Sequence, residues 1–358
     1  MGYPVWPSGK SFYPAAQRLS NPELPQRAHV AQLWAVMVQC GKFQPRLGEL
    51  MQCWPAQESG KKMMTPQYTS VAELRKTISI EVLVALGLPR TGVLQALLQP
   101  LVWPPAHRFA RLAAEFDRRT ALFGFTAALR WAVPLCVQDV RAEGAERIPA
   151  TGPLVVVSNH PGSYDGLLIG SLLDRDDLKV VVTDVPFLRS LYGTAPHLIY
   201  TPKDPHTRMA TARESVRHLR AGGALMIFPS GQVDPDPALL PGAQAALQKW
   251  SPSLSLFLRQ VPETSVLITI VSGVLAPSCF RHPLTRLRKE QRLKQFLAEF
   301  LQISQQVLFG RRFPLTPTVR FAAPLSAAEL GSGHDAQATL SAMTERAEGL
   351  LLGSDLLA

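Results

Sequence analysis

Two residues in the run Val155-Val156-Val157-Ser158-Asn159-His160-Pro161-Gly162-Ser163-Tyr164-Asp165 are suited to proton chemistry. The apolar β-branched residues predict a buried strand ending at Ser158. Pro161 and Gly162 make a turn, and a helix is expected from about Ser163. His160 then sits in the crevice at the carboxyl end of the strand, where open α/β sheets place their ligands. Asp165 falls in the first helical turn, close enough to accept a hydrogen bond from one ring nitrogen. Such a bond would fix the tautomer and make the other nitrogen a base toward a hydroxyl nucleophile.

Three more runs come after it in order. Leu198-Ile199-Tyr200-Thr201-Pro202-Lys203 reads as a strand ending in a basic residue. Ala224-Leu225-Met226-Ile227-Phe228-Pro229-Ser230-Gly231-Gln232 reads as a strand entering a Pro-Gly turn, with Phe228 68 residues after His160. Residues 266–271 form an apolar strand. Together with the His-x4-Asp spacing, these four blocks across about residues 146–325 resemble the glycerolipid acyltransferases, which include lysophosphatidic acid and glycerol-3-phosphate acyltransferases.

The resemblance implies a parallel arrangement of the first and Phe228-bearing strands, and His160 and Asp165 as the catalytic pair. It also implies an acceptor-binding loop at Phe228, Pro229, Ser230 and Gly231. The chain departs from the family's Phe-Pro-Glu-Gly-Thr-Arg block, with Ser230 in place of Glu and Val233 in place of Arg, followed by Asp234-Pro235-Asp236. Pro-Ser-Gly is closer to the soluble plastid type of glycerol-3-phosphate acyltransferase, but the arginines that come after it there are missing here. A phosphate on the acceptor would then fall to Lys203 first, with Arg208 and Arg213 behind it, unless the acceptor carries no phosphomonoester.

The reaction implied is acyl transfer from a thioester, acyl-CoA or acyl-carrier protein, to a hydroxyl of a lysophospholipid or glycerol-phosphate-type acceptor. No metal or other cofactor is expected, because the thioester is already activated. Backbone N–H groups near Gly231 or Ser163 are the expected oxyanion donors. The alternative is a non-catalytic lipid-binding, membrane-associated member of the same fold, which the altered acceptor loop favours and the intact His160 and Asp165 disfavour.

The elements that must position this pair alternate between short apolar strands at 154–158, 179–183, 198–201, 224–228, 266–271 and 318–322 and helices at 164–173, 207–219 and 289–308. That alternation predicts an α/β fold with a mixed, largely parallel sheet flanked by helices. In the last helix Leu293, Phe296, Leu297, Phe300 and Leu301 recur at helical spacing. Ahead of the sheet, residues 71–86, 91–98, 109–125 and 126–135 predict an N-terminal helical module broken by Pro89, Pro100, Pro104-Pro105 and Pro134. The expected divisions are a poorly ordered or loosely packed tail over 1–61, the helical module over 62–145 and an acyltransferase domain over 146–358. The tail holds seven prolines and precedes a Met63-Met64 pair, so an upstream extension from a misplaced start codon is an alternative reading of it. The helical module either packs on the core or meets a membrane interface, which the Trp103/Arg108 and Trp131/Arg130 mixtures suit.

The net charge of +10 calls for a polyanionic partner. Residues 281–312 carry Arg281, Arg286, Arg288, Lys289, Arg292, Lys294, Arg311 and Arg312 against Glu290 and Glu299, which places most of the excess in one segment. It reads as a contact for an anionic membrane surface or for coenzyme A phosphates, or as a solvated face. Nucleic acid is not expected: the cationic cluster lacks interleaved aromatics, and no helix-turn-helix, zinc or ribonucleoprotein motif occurs. No Gly-x-Ser-x-Gly elbow or Walker loop is found either. Cys40, Cys53, Cys136 and Cys279 lie far apart with neither Cys-x-x-Cys nor zinc-finger spacing, which fits a reducing compartment. Charge-free windows reach about 17 residues and contain Pro or Gly, short of the roughly 20 apolar residues of a bilayer span. The first 30 residues lack a continuous apolar core and do not read as a secretory signal. A cytoplasmic protein peripherally associated with the membrane is expected.

Overall fold

The computed structural model describes residues 69–85, 87–88, 91–202 and 208–353. The expected tail, Lys203, Cys40 and Cys53 lie outside the described residues, as does the side chain of Arg208. The described residues all belong to one compact unit.

Seven strands form one sheet in the order β1-β7-β6-β2-β5-β3-β4, with β1 Arg141–Glu143, β2 Leu154–Ser158, β3 Lys179–Thr183, β4 Leu198–Thr201, β5 Ala224–Ile227, β6 Ser265–Ser272 and β7 Thr318–Phe321. Among the pairings between these seven strands only β6–β7 is antiparallel, beside an isolated antiparallel bridge between Val266 and Leu325, so the sheet is mixed and largely parallel. The central strands β2 and β5 are buried along their whole length, because a parallel sheet covered on both faces demands apolar side chains at every position. Register pairs Val157 with Ile227 and Ser158 with Thr269. The loops leaving β2 and β5 therefore emerge side by side at one edge. The next strands in the chain build outward from β2 through β5, β3 and β4, while β6 and β7 lie on its other side. The end of β2 is thus the topological switch point of the sheet.

The longer helices are α1 Val71–Ala85, α2 Val93–Phe123, α3 Phe125–Cys136, α4 Asp165–Leu173, α5 Arg208–Arg220, α6 Gln291–Phe309 and α7 Ala336–Leu352. One expectation fails in α2. The prolines Pro100, Pro104 and Pro105 do not separate two helices but sit within a single helix of 31 residues. A proline removes one backbone hydrogen bond and crowds the preceding turn. Here Val102, Pro105, Ala106 and Ala110 are buried, and Ala106 and Ala110 share a core with Leu74 and Ile78 of α1, so burial offsets the lost bonds. The expected Trp–Arg neighbours are also different. Arg75 lies over Trp103 and Arg119 over Trp131, whereas Arg108 reaches the carbonyls of Val307 and Leu308, and Arg130 pairs with Asp174.

Helix α6 differs most from its sequence pattern. Leu293, Phe296, Leu297, Phe300 and Leu301 are not its buried face as a set, whereas Gln295, Ala298, Glu299 and Gln302 are buried. Gln295, Glu299, Gln302 and Gln306 recur at intervals of four, three and four residues and so share one face. Each meets a polar partner on the sheet's loops or on the helices beside it. No helix among the described residues is long and apolar enough to cross a membrane.

Candidate active site

β2 ends at Ser158, and Asn159 anchors the loop that leaves it. The Asn159 amide donates to the Val271 carbonyl at 2.9 Å and accepts from the Val271 N–H at 2.8 Å, tying the start of the loop to β6. The chain then turns through Pro161 and Gly162 into α4, which begins at Asp165. His160 Nδ1 and Asp165 Oδ2 lie 2.8 Å apart. Asp165 is sealed at 2% side-chain exposure while the imidazole retains 30%, so the ring is held from below and open above. The same Asp165 oxygen accepts the Gly162 N–H at 3.2 Å, and the other accepts the Gly166 N–H at 2.6 Å. One carboxylate therefore fixes both the ring and the turn that carries it.

The loop after β5 supplies the opposite wall. The Phe228 ring lies 4.6 Å from the His160 ring, centroid to centroid, as the Val157–Ile227 register requires. Gly231 takes the left-handed conformation with φ of 62°, which closes the tight turn, and its N–H donates to the Phe228 carbonyl. The partly exposed Ser230 is engaged within its own loop. Its hydroxyl donates to the Gln232 carbonyl at 2.8 Å and lies 3.1 Å from Asp234 Oδ2. Asp234 and Asp236 are loop braces: Asp234 Oδ2 accepts the His160 N–H, and Asp236 accepts from Ala238, Gly273 and Leu275.

Neither of the N–H groups expected to receive an oxyanion is free in this state. The Gly231 N–H is used in its own turn, and the Ser163 N–H donates to Glu299 Oε1 at 3.1 Å. Arg213 is exposed on α5. Sequence reasoning missed two residues at this site. Arg292, counted only within a basic segment, puts Nη1 3.1 Å from Gln232 Oε1 and so brings a cation to the loop where the resemblance led to the expectation of an arginine. Glu299, counted only as a charge, lies beneath the His160–Asp165 turn. The irregular polar spacing along α6 was the signal that could have found it.

The electrostatics are dominated by buried carboxyls around one ring. Burial of the imidazole opposes its charge, but Asp165, Glu299 and Asp234 together outweigh that and push His160 up to about 9. Burial, reinforced by Asp165, pushes Glu299 up to about 7. Burial also raises Asp234. Beside the turn lies an apolar cavity of about 280 Å³ between α1, α2 and α6, with Ser163 and Glu299 at its polar end and Val82, Val102, Phe109 and Phe300 among its walls.

Residues 139–250 match the family model described as Acyltransferase. The uncharacterized protein ML2427 of Mycobacterium leprae (strain TN) is 32% identical over 99 residues, which cover 26% of this chain. The chain spans about a quarter of the length of that curated relative (25%). Among solved structures, the 1-acyl-sn-glycerophosphate (LPA) acyltransferase PlsC from Thermotoga maritima aligns over 79% of this chain and 93% of its own, with a TM-score of 0.37 and 17% identity.

Proposed function

We propose that this chain, a member of the acyltransferase family through residues 139–250, moves a fatty acyl group from a thioester donor to a hydroxyl of an amphiphilic acceptor of the lysophospholipid or glycerol-phosphate type. The observation that carries the reading is the 2.8 Å contact between a partly open imidazole and a buried carboxylate, His160 and Asp165, at the switch point of the sheet. With Nδ1–H directed to Asp165, Nε2 is the nitrogen that takes the acceptor's proton as its oxygen attacks the thioester carbonyl. The C–O bond forms, the tetrahedral intermediate collapses with loss of the C–S bond, and His160 returns the proton to the departing thiolate. Asp165 stabilises the transient imidazolium, and no covalent enzyme intermediate is needed.

The apolar cavity beside Ser163 suits the acyl chain, being lined mostly by apolar side chains of α1, α2 and α6, with Glu81 and Glu299 as its ionisable groups. Arg292, on the rim of the Ser230–Gln232 loop, is the cation best placed for an anionic acceptor headgroup. Val93, Leu94, Leu97 and Leu101 form an exposed apolar stripe at the start of α2. With the basic residues of 281–312, that stripe supports peripheral contact with an anionic membrane, from which a lipid acceptor would be drawn.

The deciding assay monitors labelled acyl-CoA and acyl-carrier-protein donors against a panel of lysolipids and glycerol phosphate. Transfer by the wild type and its collapse in folded His160→Ala are expected. Wild-type rates in that variant would remove His160 from the reaction. Lysolipid binding without transfer under any donor would leave the non-catalytic reading.

A further inference from the structure

The buried face of α6 grips the turn between His160 and Asp165 at successive residues. Gln295 Nε2 donates to the Pro161 carbonyl at 2.6 Å and to the Asp234 carbonyl at 2.9 Å, joining the two loops of the site. One helical turn later, Glu299 Oε1 accepts the Ser163 N–H at 3.1 Å and Oε2 faces the Ser163 hydroxyl at 3.4 Å. Gln302 holds Ala276 and Val274, and Gln306 donates to the Cys136 carbonyl and accepts the Tyr164 hydroxyl. Of these four, Glu299 alone can ionise.

Glu299 also explains the glycine in the turn. A Cβ on residue 162 would fall 2.1 Å from Glu299 Oε1, so the carboxyl fills the space that any side chain there would need. Consecutive amides of the turn are thus anchored to different carboxyls, Gly162 to Asp165 and Ser163 to Glu299. Helix α6 lies outside the segment 139–250 and brings this group from 134 residues beyond Asp165.

We infer that Glu299 is a positioning residue of this site, a second carboxyl that locks the His160–Asp165 turn through Ser163 and the space at Gly162. Its role in turnover rests on His160 being the base. The titratable groups that face it are His160, Asp165 and Tyr164 on the turn and Glu81 of α1 across the cavity, while Asp234 faces His160 from the neighbouring loop. Ionised Glu299 favours the protonated ring, and a neutral amide in its place keeps an acceptor for the Ser163 N–H but removes that charge.

The test is an NMR titration of the His160 imidazole in the full chain. In Glu299→Gln its midpoint is expected to fall by about one pH unit relative to wild type, the size of effect a nearby charge exerts. In Gly162→Ala the added methyl drives the carboxyl away, and the same downward movement is expected. An unmoved midpoint in Glu299→Gln overturns the inference; if that variant does not fold, an unmoved midpoint in Gly162→Ala does so. The readout needs no substrate. A shift without acyl transfer by the wild type would overturn the proposed reaction while leaving the lock standing, and transfer without a shift would overturn the lock alone.

Discussion

His160 and Asp234 are bound to each other twice through the backbone: the Asp234 N–H donates to the His160 carbonyl at 2.8 Å, and the His160 N–H donates to Asp234 Oδ2 at 2.9 Å. The acidic residue just past the Ser230–Gln232 turn is therefore a clasp that holds the proposed base in register with β5. Replacing it with alanine leaves the His160 N–H without its acceptor, while the Ser230 hydroxyl keeps the Gln232 carbonyl. Asp234→Ala is expected to lose about 1–3 kcal/mol of stability. Asp234→Asn, which keeps an oxygen in place, should lose less. Chemical denaturation of the three proteins measures both, and equal stability in wild type and Asp234→Ala would show that the clasp contributes nothing.

The pH dependence has a definite sign. The carboxyls around His160 raise its folded pKa to about 9, above the ordinary 6.5, so the neutral ring needed for base catalysis accumulates only as pH rises toward 9. kcat/KM is expected to climb from pH 7 through about 9 and to level only above that value. Stability runs the other way: the contribution of His160, measured against His160→Ala, is complete below about 6.5 and lost as pH rises through about 9. A rate profile flat from pH 6 to 9 would contradict the assignment of His160 as base.

Loss of the pair should be costly at the chemical step. His160→Ala is expected to lower kcat by about 10²- to 10⁴-fold without unfolding the protein. Asp165→Asn should fall in the same direction, since an amide cannot stabilise the imidazolium. Circular dichroism beside single-turnover rates separates lost chemistry from a lost fold.

Arg292 is expected to act on the acceptor alone. Arg292→Ala should raise KM about tenfold or more for an anionic acceptor, as expected for a lost charge-assisted hydrogen bond, and leave KM for an uncharged one unchanged. Equal effects on both acceptors would place the anion elsewhere.

The α2 stripe is expected to govern access to the membrane. Leu97 and Leu101 are 68% and 73% exposed, so changing both to Glu should be tolerated by the fold. Binding to anionic vesicles should fall about tenfold or more, given about 1.5–3 kcal/mol for each apolar side chain fully removed from water. Transfer to an acceptor in detergent micelles should persist. Unchanged sedimentation with vesicles would move the contact to another face.

The information legible in the amino-acid order was local. The buried strands β2, β5 and β6 are runs of β-branched and aliphatic residues whose burial on both faces leaves a compositional mark, and His160 and Asp165 stand five positions apart, close enough for one turn to bring them together. Tertiary structure decided the rest. Pro100, Pro104 and Pro105 stay within one helix, which packs on α1 through Ala106 and Ala110 just beyond them. The regular spacing of Leu293, Phe296 and Phe300 pointed inward, yet α6 buries Gln295, Glu299 and Gln302. Desolvating those polar groups is favourable only where backbone amides and carbonyls of distant loops wait to receive them, and no window of neighbouring residues contains that information. Arg292 and Glu299 reach the site by the same route, their roles set by partners more than fifty residues away along the chain.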